Sequence, residues 1–447
     1  MKKLRARKII SVNSVLEKNM IKSTINVSRC LEQYFNTLHF YAIYDAKIFS
    51  DESINNIPIL SIVLPVAWIT GADVHVENID KKFKSSMDEL QQIYQKIYPK
   101  APFKTRFNAN SLVDDVDNEG DRACILFSGG LDSTFTLFQN ISDEPSIVMV
   151  LGTDLPNSNP KFQEYVKSKF IQFANGEGVN IHFIKTNALE VLRQRRLDHL
   201  FWRYEGKHEG NYWNGIGYAL GHIGQIAPLS MRRYDRLSIA AAVDLNNADP
   251  FKIPDASSPL TDEIISWSNL HVKHDSSVNR HEKISRLKKL FEDNRLHIRV
   301  CWADTEYLLK QNELNCSKCE KCLRTIASLT LEGIDPNKCG FQIDDSTFKI
   351  MKYLIEKRYL TKQHLTLWWK PIQEAIPENI TQDFHGSKSF FKWFKTINLD
   401  SYAAEYKTSL LTLYTIFPYW ISNPIRKIFY DSRPKMRIYE PIGLSSC

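Results

Sequence analysis

The sequence has no long uninterrupted apolar run, and this absence bears first on secretion and membranes. Its basic start is followed only by the apolar "IISV", which is far too short for the core of a secretory signal. The most apolar stretch, "IPILSIVLPVAWITGADV" at 57–74, is broken by two prolines, a glycine and an aspartate. It falls short of the ~20 apolar residues that a membrane-spanning helix needs. We interpret it as a buried strand leading into a turn, and we expect a cytoplasmic protein without a membrane partner.

The chain also lacks internal repeats, low-complexity tracts and a strong charge of one sign. The 447 residues are too many for one small core and suit two or three domains. Hydrophobic residues make up 43% and charged residues 24%, which is the balance of a soluble globular protein. The net charge of +7 permits an anionic ligand, but it is spread over a large surface. A nucleic-acid partner is therefore not expected.

Cysteine is scarce, with eight residues in the chain, yet three of them stand together in "NCSKCEKC". Because thiols stay reduced in the cytosol, such a cluster favours metal over disulfides. The spacing of Cys316, Cys319 and Cys322 lets a loop and the first turn of a helix direct three thiolates at one centre. Cys301, at the end of an apolar run, is the candidate for the fourth ligand. Four cysteines predict a structural zinc (Zn²⁺) site, with an iron–sulfur cluster as the alternative.

Pattern changes divide the chain into three blocks. Residues 1–115 mix strand-like and helix-like segments and lead into the acidic linker "DDVDNEGD". Residues 116–335 alternate short apolar runs ("ACILF", "SIVMVL", "NIHFIK", "RLSIAAA") with helix-length segments, which predicts a parallel sheet with helices on both faces. Residues 336–447 are aromatic-rich and mostly helical in pattern. The expected fold class is α/β, a parallel-sheet core with a mixed α/β N-terminal domain and a helical C-terminal region.

The first core strand runs into "CILFSGGLDSTFTLF" at residues 124–138. Ser-Gly-Gly allows a sharp turn, because glycine accepts positive φ. A helix starting near Asp132 offers free N–H groups and the positive end of its dipole to a phosphate. Asp132 stands at a natural N-cap position, and the hydroxyls of Ser128 and Ser133 add donors. No Gly-Lys-Ser/Thr follows, which excludes a Walker A loop, and the stretch does not match GxGxxG.

Ser-Gly-Gly-x-Asp-Ser after a strand resembles the PP-loop of the ATP pyrophosphatase superfamily. The resemblance implies an adenine nucleotide alpha hydrolase-like core that uses ATP and Mg²⁺. The loop would grip the β/γ pyrophosphate while a substrate oxygen attacks the α-phosphate. Together with "VCW", "CSKCEKCLRT" and the Pro-Asp motif "IPDASSP" at 253–259, it looks like 7-cyano-7-deazaguanine synthase of the queuosine pathway. That family activates the carboxylate of 7-carboxy-7-deazaguanine with ATP and couples it to ammonia.

The likeness covers about 120–335, and chains with such extensions look like synthase-like relatives. Some of those accompany bacterial anti-phage systems and attach a deazaguanine to a protein, so an amine or protein acceptor stays open here. Two segments depart from the synthase pattern. "LGTDLPNS" replaces a Gln-Arg-containing loop, and the Pro-Asp motif continues as Ala-Ser-Ser rather than with Cys-Arg. These departures bear on the substrate more than on the use of ATP.

The resemblance assigns candidate roles to individual residues. Catalysis is expected from Ser128, Asp132 and Ser133, with Asp132 also positioning Mg²⁺. The nucleotide-binding residues are expected to be Ser128, Gly129, Gly130, Leu131, Asp132, Ser133, Asp154 and Thr186. Contacts to the carboxylate substrate are expected from Asp255, Ser257 and Arg324.

Two other functions stay open beside the ligase. A tRNA-modifying PP-loop thiolase would need a reactive cysteine or an iron–sulfur cluster and a basic RNA surface. A non-catalytic relative would bind nucleotide as a switch. The basic, aromatic segment at 193–213 suits single-stranded nucleic acid, a cover for the nucleotide pocket or a solvated helix. A homodimer is also left open.

Overall fold

The fold is built around one β-sheet whose strands follow the short apolar runs of the sequence. A computed structural model describes residues 7–114, 120–205, 211–241, 257–275, 278–303 and 305–403, and within these ranges the sheet has eleven strands. They are β1 (Ile9–Glu17), β2 (Met20–Val27), β3 (His39–Tyr44), β4 (Asp73–Asp80), β5 (Phe107–Val113), β6 (Arg122–Leu126), β7 (Ser146–Leu151), β8 (Ile181–Thr186), β9 (Tyr234–Ala240), β10 (Ser266–Trp267) and β11 (Leu270–Asp275). Their order across the sheet is β10-β11-β9-β6-β7-β8-β3-β2-β1-β4-β5, with most neighbours parallel. The chain is therefore an α/β protein, as predicted.

Helices connect the strands and cover both faces of the sheet. They are α1 (Glu52–Asn55), α2 (Ile57–Thr70), α3 (Lys81–Ile97), α4 (Leu131–Gln139), α5 (Pro160–Glu177), α6 (Ala188–Val191), α7 (Gln194–Glu205), α8 (Tyr218–Ile223), α9 (Ala227–Ser230), α10 (Pro259–Asp262), α11 (Arg280–Arg286), α12 (Lys288–Glu292), α13 (Thr305–Gln311), α14 (Glu320–Leu331), α15 (Thr347–Glu356), α16 (Lys362–His364), α17 (Lys370–Glu374) and α18 (Ser387–Thr396). Two π-helical turns, Trp213–Gly217 and Leu365–Trp369, precede α8 and α17. In the part of the chain described here, no helix is long and apolar enough to cross a membrane.

The parallel core has the strand order of a doubly wound fold. Across the sheet, β11-β9-β6-β7-β8 run parallel, so the chain moves outward in one direction from β6 to β8 and then returns to place β9 on the other side of β6. The connections that leave the neighbouring strands β6 and β9 therefore run to opposite sides, and "SGGLDS" follows β6 at this point. Ligands of open α/β sheets bind at such a switch point.

The stretch interpreted above as a buried strand is instead the helix α2, so that expectation was wrong. All 14 of its residues are buried, and it has no polar face, because it packs against the sheet on one side and against the 213–226 segment on the other. An apolar run bounded by turn residues does not distinguish a buried strand from a buried helix. Pro65 lies inside the helix and has no backbone N–H to donate. The hydroxyl of Ser61, in the same helix, donates to the Pro58 carbonyl at 2.7 Å.

The predicted N-terminal block shares the sheet of the core. β3 pairs antiparallel with β8, and β3, β2, β1, β4 and β5 continue from there to the far edge. The boundaries near 115 and 335 stay predictions, and most of the expected linker, 115–119, lies outside the described residues. The described part of the C-terminal block, 336–403, contains α15–α18. The rest of the block, 404–447, lies outside the described residues.

Two hydrophobic clusters occupy opposite faces of the sheet. Alternation along β7 separates them, because Val148 and Val150 join one cluster while Ile147 and Met149 join the other. The first cluster gathers the N-terminal strands, α2 and the 213–231 segment. The second gathers α4, α5, the cysteine region and α15–α18. The helices after residue 336 thus pack onto the same face as the helix that follows the glycine-rich loop.

Candidate functional site

A cavity of about 740 Å³ lies at the carboxyl ends of the core strands, around the switch point. Residues from the ends of β6, β7, β9 and β11 line it, together with the loop after β6 and residues from the cysteine region. The predicted site residues that line this cavity are Ser128, Gly130, Leu131, Asp132, Ser133, Asp154, Ser257, Cys301 and Arg324. Segments that are far apart in the chain are therefore brought to one place.

The glycine-rich loop has the tight geometry that its sequence predicts. Gly129 has φ +72°, and a Cβ there would stand 1.8 Å from the Phe170 ring, so only glycine fits. The Ser128 and Ser133 hydroxyls lie 3.2 Å apart, and the Gly130 N–H donates to Ser128 Oγ at 3.3 Å. The loop holds its own hydroxyls at the start of α4, where free N–H groups point toward the cavity end of the helix.

Asp132 is not the N-cap of α4, contrary to the expectation from sequence. Gly130 is the N-cap, and Asp132 lies in the first turn, where its carboxylate binds two cations. Arg280 Nη2 donates to Asp132 Oδ2 at 2.6 Å, and Lys283 Nζ donates to Asp132 Oδ1 at 3.0 Å. Burial opposes the charge on Asp132, but the two cations outweigh burial and hold its pKa well below the ordinary value. Asp132 therefore fixes α11 against α4 and orients Arg280 at the cavity wall.

Four basic side chains line the cavity, against two carboxylates among the described lining residues. The cations are Arg280, Arg299, Lys321 and Arg324, and the carboxylates are Asp132 and Asp154. Burial lowers the pKa of Arg324 to about 10 and, with Arg280 and Arg324 nearby, the pKa of Lys321 to about 8. Asp132 is already paired, so the wall carries a net positive charge that suits an anionic ligand.

Several nitrogens of these arginines are buried and make no hydrogen bond within the described part of the chain. They are Nε of Arg299 and both Nε and Nη1 of Arg324. Arg324 Nη1 lies 3.4 Å from Glu320 Oε1, within ion-pair range but without hydrogen-bond geometry. Buried donors of this kind are costly unless a partner satisfies them. An anion entering the cavity is such a partner.

Trp368 completes this side of the cavity and was missed by the sequence analysis. The guanidinium carbons of Arg280 and Arg324 lie 4.4 Å and 4.5 Å from its ring centroid, which is cation–π range. Its neighbour Trp369 is fully buried and donates from Nε1 to Glu320 Oε1 at 3.0 Å. The C-terminal block thus contributes a ring to the cavity wall and is bonded to the helix that carries Arg324. The "WW" pair gave no signal for this, because it matched an ordinary apolar helix face.

The four predicted metal ligands form one buried cluster. The Sγ atoms of Cys301, Cys316, Cys319 and Cys322 all lie within 4.8 Å of one another, and all four residues are buried. The Sγ–Sγ distances include 3.9 Å for Cys301–Cys319, 4.0 Å for Cys316–Cys322 and 3.5 Å for Cys319–Cys322. Thiolates at ~2.3 Å from one tetrahedral ion stand ~3.8 Å apart. The cluster can therefore hold a metal ion such as zinc.

The cysteine cluster is joined directly to the cavity. Cys319 is the N-cap of α14, Cys322 lies in its first turn, and Lys321, Arg324 and Thr325 of the same helix line the cavity. Cys301 also lines it. A metal bound by the four thiolates would clamp the start of α14 and set where its cations point.

Other predicted residues have different outcomes. Thr186 is not among the residues that line the cavity; its buried hydroxyl donates to the Tyr41 carbonyl at 2.9 Å and so helps join β8 to β3. Gly129 lies behind the cavity wall, and its carbonyl accepts from the Arg299 N–H at 2.7 Å. Asp255 lies outside the described residues.

Sequence reasoning also missed Arg280, Lys283 and Arg299. Arg280 and Lys283 stand in "NRHEKISRLKKLF", a segment whose pattern is that of an ordinary charged helix. Arg299 stands within the apolar run before Cys301, where a charged residue between apolar neighbours was a usable signal. Comparisons with protein-family models, with curated proteins and with solved structures found no match to this chain.

Proposed function

We propose that the protein is an ATP-dependent ligase of the ATP pyrophosphatase type, which adenylates a carboxylate and couples it to ammonia or an amine. The observation that carries the proposal is the position of the "SGGLDS" loop at the switch point of a parallel sheet, inside a cavity whose wall is net positive. The loop hydroxyls, the N–H groups at the start of α4 and the cations of the wall together provide the hydrogen-bond donors and the positive charge that bind a triphosphate. The PP-loop resemblance of the sequence gives the reaction type.

In this proposal the loop binds the β/γ pyrophosphate and the cavity wall supports its departure. The hydroxyls of Ser128 and Ser133 and the N–H groups at the start of α4 bind the phosphate oxygens. A carboxylate oxygen of the substrate attacks the α-phosphate, the bond to the β-phosphate oxygen breaks, and pyrophosphate leaves with the electron pair. The amine then attacks the acyl carbon and releases AMP. Catalysis is then mainly positioning and electrostatic stabilisation of the leaving charge.

Magnesium (Mg²⁺) would accompany ATP, and the geometry favours Asp154 over Asp132 as its protein ligand. Both oxygens of Asp132 accept hydrogen bonds from Arg280 or Lys283. Asp154 is exposed at the cavity wall just beyond β7, and no hydrogen bond to its carboxylate is found in the described residues. A hard divalent cation prefers a carboxylate that is not already paired with cations.

The substrate would lie in the same cavity, which Arg324, Trp368 and Ser257 line. A planar carboxylate fits this set, because an arginine can bind the carboxylate while the tryptophan edge or face contacts a ring. We propose a 7-carboxy-7-deazaguanine-like compound, with ammonia or an amine as the acceptor. A protein N-terminus in an anti-phage system is the proposed variant of that acceptor. We place the reaction in the cytoplasm, without a nucleic-acid partner.

The metal in this proposal is a structural zinc ion, bound by the four cysteines without a catalytic position. Because four thiolates fill a tetrahedral shell, the ion would hold α14 and leave the chemistry to the cavity. All four Sγ atoms lie within 4.8 Å of one another, which favours one ion over an iron–sulfur cluster, whose several iron atoms hold their thiolates further apart. The thiolase alternative, for which the iron–sulfur spacing was the supporting observation, is therefore less well supported.

The test is an assay of nucleotide products with 7-carboxy-7-deazaguanine and related carboxylates in the presence of ammonia. We expect AMP and pyrophosphate in equal amounts, dependent on the carboxylate. Ser128→Ala should abolish turnover while metal analysis still finds about one zinc per chain. ADP and phosphate as products would refute adenylation. Nucleotide binding without any turnover would favour the non-catalytic alternative.

A further inference from the structure

His274 stands at the carboxyl end of β11 and lines the same cavity as the glycine-rich loop. It alternates onto the same strand face as Leu270 and Val272, so its side chain is directed inward, and only 6% of the residue is exposed. The segment "LHVKHD" matches an ordinary strand, and the sequence analysis assigned this histidine no role. The proposed function above does not use it either.

Both ring nitrogens of His274 lack a hydrogen-bond partner within the described part of the chain. The contrast with His222, the other histidine among the described lining residues, is direct. His222 Nε2 lies 3.0 Å from the Thr153 hydroxyl, and Nδ1 lies 2.8 Å from the Tyr218 carbonyl. A histidine held by two partners serves the fold, whereas a buried histidine without partners at a cavity wall is available to a ligand.

A carboxyl group stands behind His274. Asp262 Oδ2 lies 3.8 Å from His274 Nε2, and the residue is fully buried. Asp262 accepts from the Ser257 hydroxyl at 2.7 Å and from the Thr261 hydroxyl at 2.9 Å, one on each oxygen. A proton arriving on the imidazole would face this carboxylate, as in other histidine–aspartate pairs.

Burial, with one nearby cation, keeps the ring of His274 neutral before any ligand binds. Burial and the nearby Lys283 ammonium lower the pKa of His274 to about 4, so a lone pair is free at neutral pH. Lys283 is itself fixed by Asp132 and by the Ala241 carbonyl, to which Nζ donates at 2.6 Å. Glu263 is occupied with the backbone of His274, since its Oε1 accepts from the His274 N–H at 3.1 Å.

Resting on the proposed function, we propose that His274 contacts the attacking amine and accepts its proton during amide formation. The amine nitrogen forms a bond to the acyl carbon of the adenylate, and the bond from that carbon to the AMP oxygen breaks. AMP leaves with the electron pair. The N–H proton passes to a lone-pair nitrogen of His274, beside Asp262, and from there to solvent. Ser257, which donates to Asp262, lines the same cavity as His274.

Adenylation and amide formation can be measured separately, which shows whether His274 acts only in amide formation. Exchange of labelled pyrophosphate into ATP, dependent on 7-carboxy-7-deazaguanine, reports adenylation alone. Amide formation with ammonia reports both steps. Hydroxamate formation with hydroxylamine also reports both steps, but hydroxylamine is mostly unprotonated at pH 7 and its adduct is acidic enough to lose the proton to water. The variants are His274→Leu and His274→Gln. His271→Leu, at an exposed position of the same strand, is the matched control.

For both His274 variants we expect exchange within about twofold of wild type, and amide formation with ammonia reduced about 100-fold or more. Hydroxylamine should restore most of the product, and His271→Leu should change neither reaction. The thermal midpoint of His274→Leu should not fall, because the nitrogens it removes bind no described group. Exchange falling in parallel with amide formation, or amide formation with ammonia unchanged, would overturn the inference. Wild type without exchange would overturn the proposed function first and the inference with it.

Discussion

Substitution of Asp132 by Asn tests whether the ion cluster behind the glycine-rich loop stabilises the fold. The Asp132 and Arg280 side chains are each 18% exposed and the Lys283 side chain is 1% exposed, so the cluster is nearly buried. Removing one member of a buried ion pair leaves an uncompensated charge and costs about 3–5 kcal/mol. Because Asp132 retains some exposure, we expect a loss of ~3 kcal/mol, at the lower end of that range. Natural proteins have ~5–15 kcal/mol of stability, so the variant should still fold.

The assay is urea unfolding of wild type and variant, with an exposed ion pair as control. Glu282 pairs with Arg286 on the same helix as Arg280, with side chains 42% and 51% exposed, and Glu282→Gln should cost no more than ~0.5 kcal/mol. Lys283→Met added to Asp132→Asn removes the stranded charge and should recover part of the loss, which a double-mutant cycle measures. A loss below ~1 kcal/mol for Asp132→Asn, or no recovery in the double variant, would refute the reasoning.

The same cluster predicts a dependence on pH with a definite sign. The pKa of Asp132 in the folded chain lies well below the ~3.9 of an unfolded aspartate. Its contribution to stability is therefore complete above pH ~5 and is lost progressively as the pH falls toward the folded-state pKa. Between pH 5 and pH 3, wild type should lose more stability than Asp132→Asn, as followed by thermal unfolding. Parallel curves for the two proteins would contradict this assignment.

Three further predictions concern the metal, the loop and the cavity wall. Removal of the metal by a chelator, or Cys322→Ser, should release the start of α14 and weaken ATP binding at least tenfold. Calorimetry measures the ATP affinity and metal analysis confirms the loss of the ion. An ATP affinity that metal loss leaves unchanged would contradict the idea that the metal positions α14. Gly129→Ala should lower the free energy of unfolding by more than ~2 kcal/mol, because alanine is strained at this positive φ and its Cβ clashes with Phe170. Gly176→Ala, at an open position of a helix, should raise the free energy of unfolding by ~0.5–1 kcal/mol. Urea unfolding measures both. Trp368→Ala should raise the KM for the carboxylate about tenfold, because two cation–π contacts are lost. Trp393→Ala, at a position outside the cavity lining, should leave the KM unchanged. Equal effects of the two substitutions would refute the role of the Trp368 ring.

The parts of the fold that sequence predicts well are those governed by local patterns. The run at 146–151 is a strand over those same residues, because a short β-branched run between turn residues has few alternatives. The glycine-rich loop and the cysteine cluster were also found, since each has a spacing set by its own geometry. The helix α2 was missed because uniform burial removes the periodicity on which the distinction depends.

The parts of the site that sequence does not predict come from long-range packing. Trp368 reaches the cavity only because the C-terminal block packs on α14, and Arg280 only because α11 is bound to Asp132 on α4. His274 is distinguished from His271 by the strand face it occupies and by ring nitrogens that form no hydrogen bond with the described residues, neither of which a single sequence shows. Charge and aromatic residues on helices are usually solvated or packed, so local patterns give such residues no special weight.

The antiparallel pairing of β3 with β8 has a consequence for any shortened form of the chain. A fragment beginning near residue 116 would leave the backbone N–H and C=O groups of β8 open on that side. It would also strip the cover from the apolar side chains that face α2 and the N-terminal strands. An open strand edge beside uncovered apolar surface is a template for intermolecular pairing. Truncation to residues 116–335 alone should therefore give aggregates, and the N-terminal strands act as an intramolecular guard against self-association.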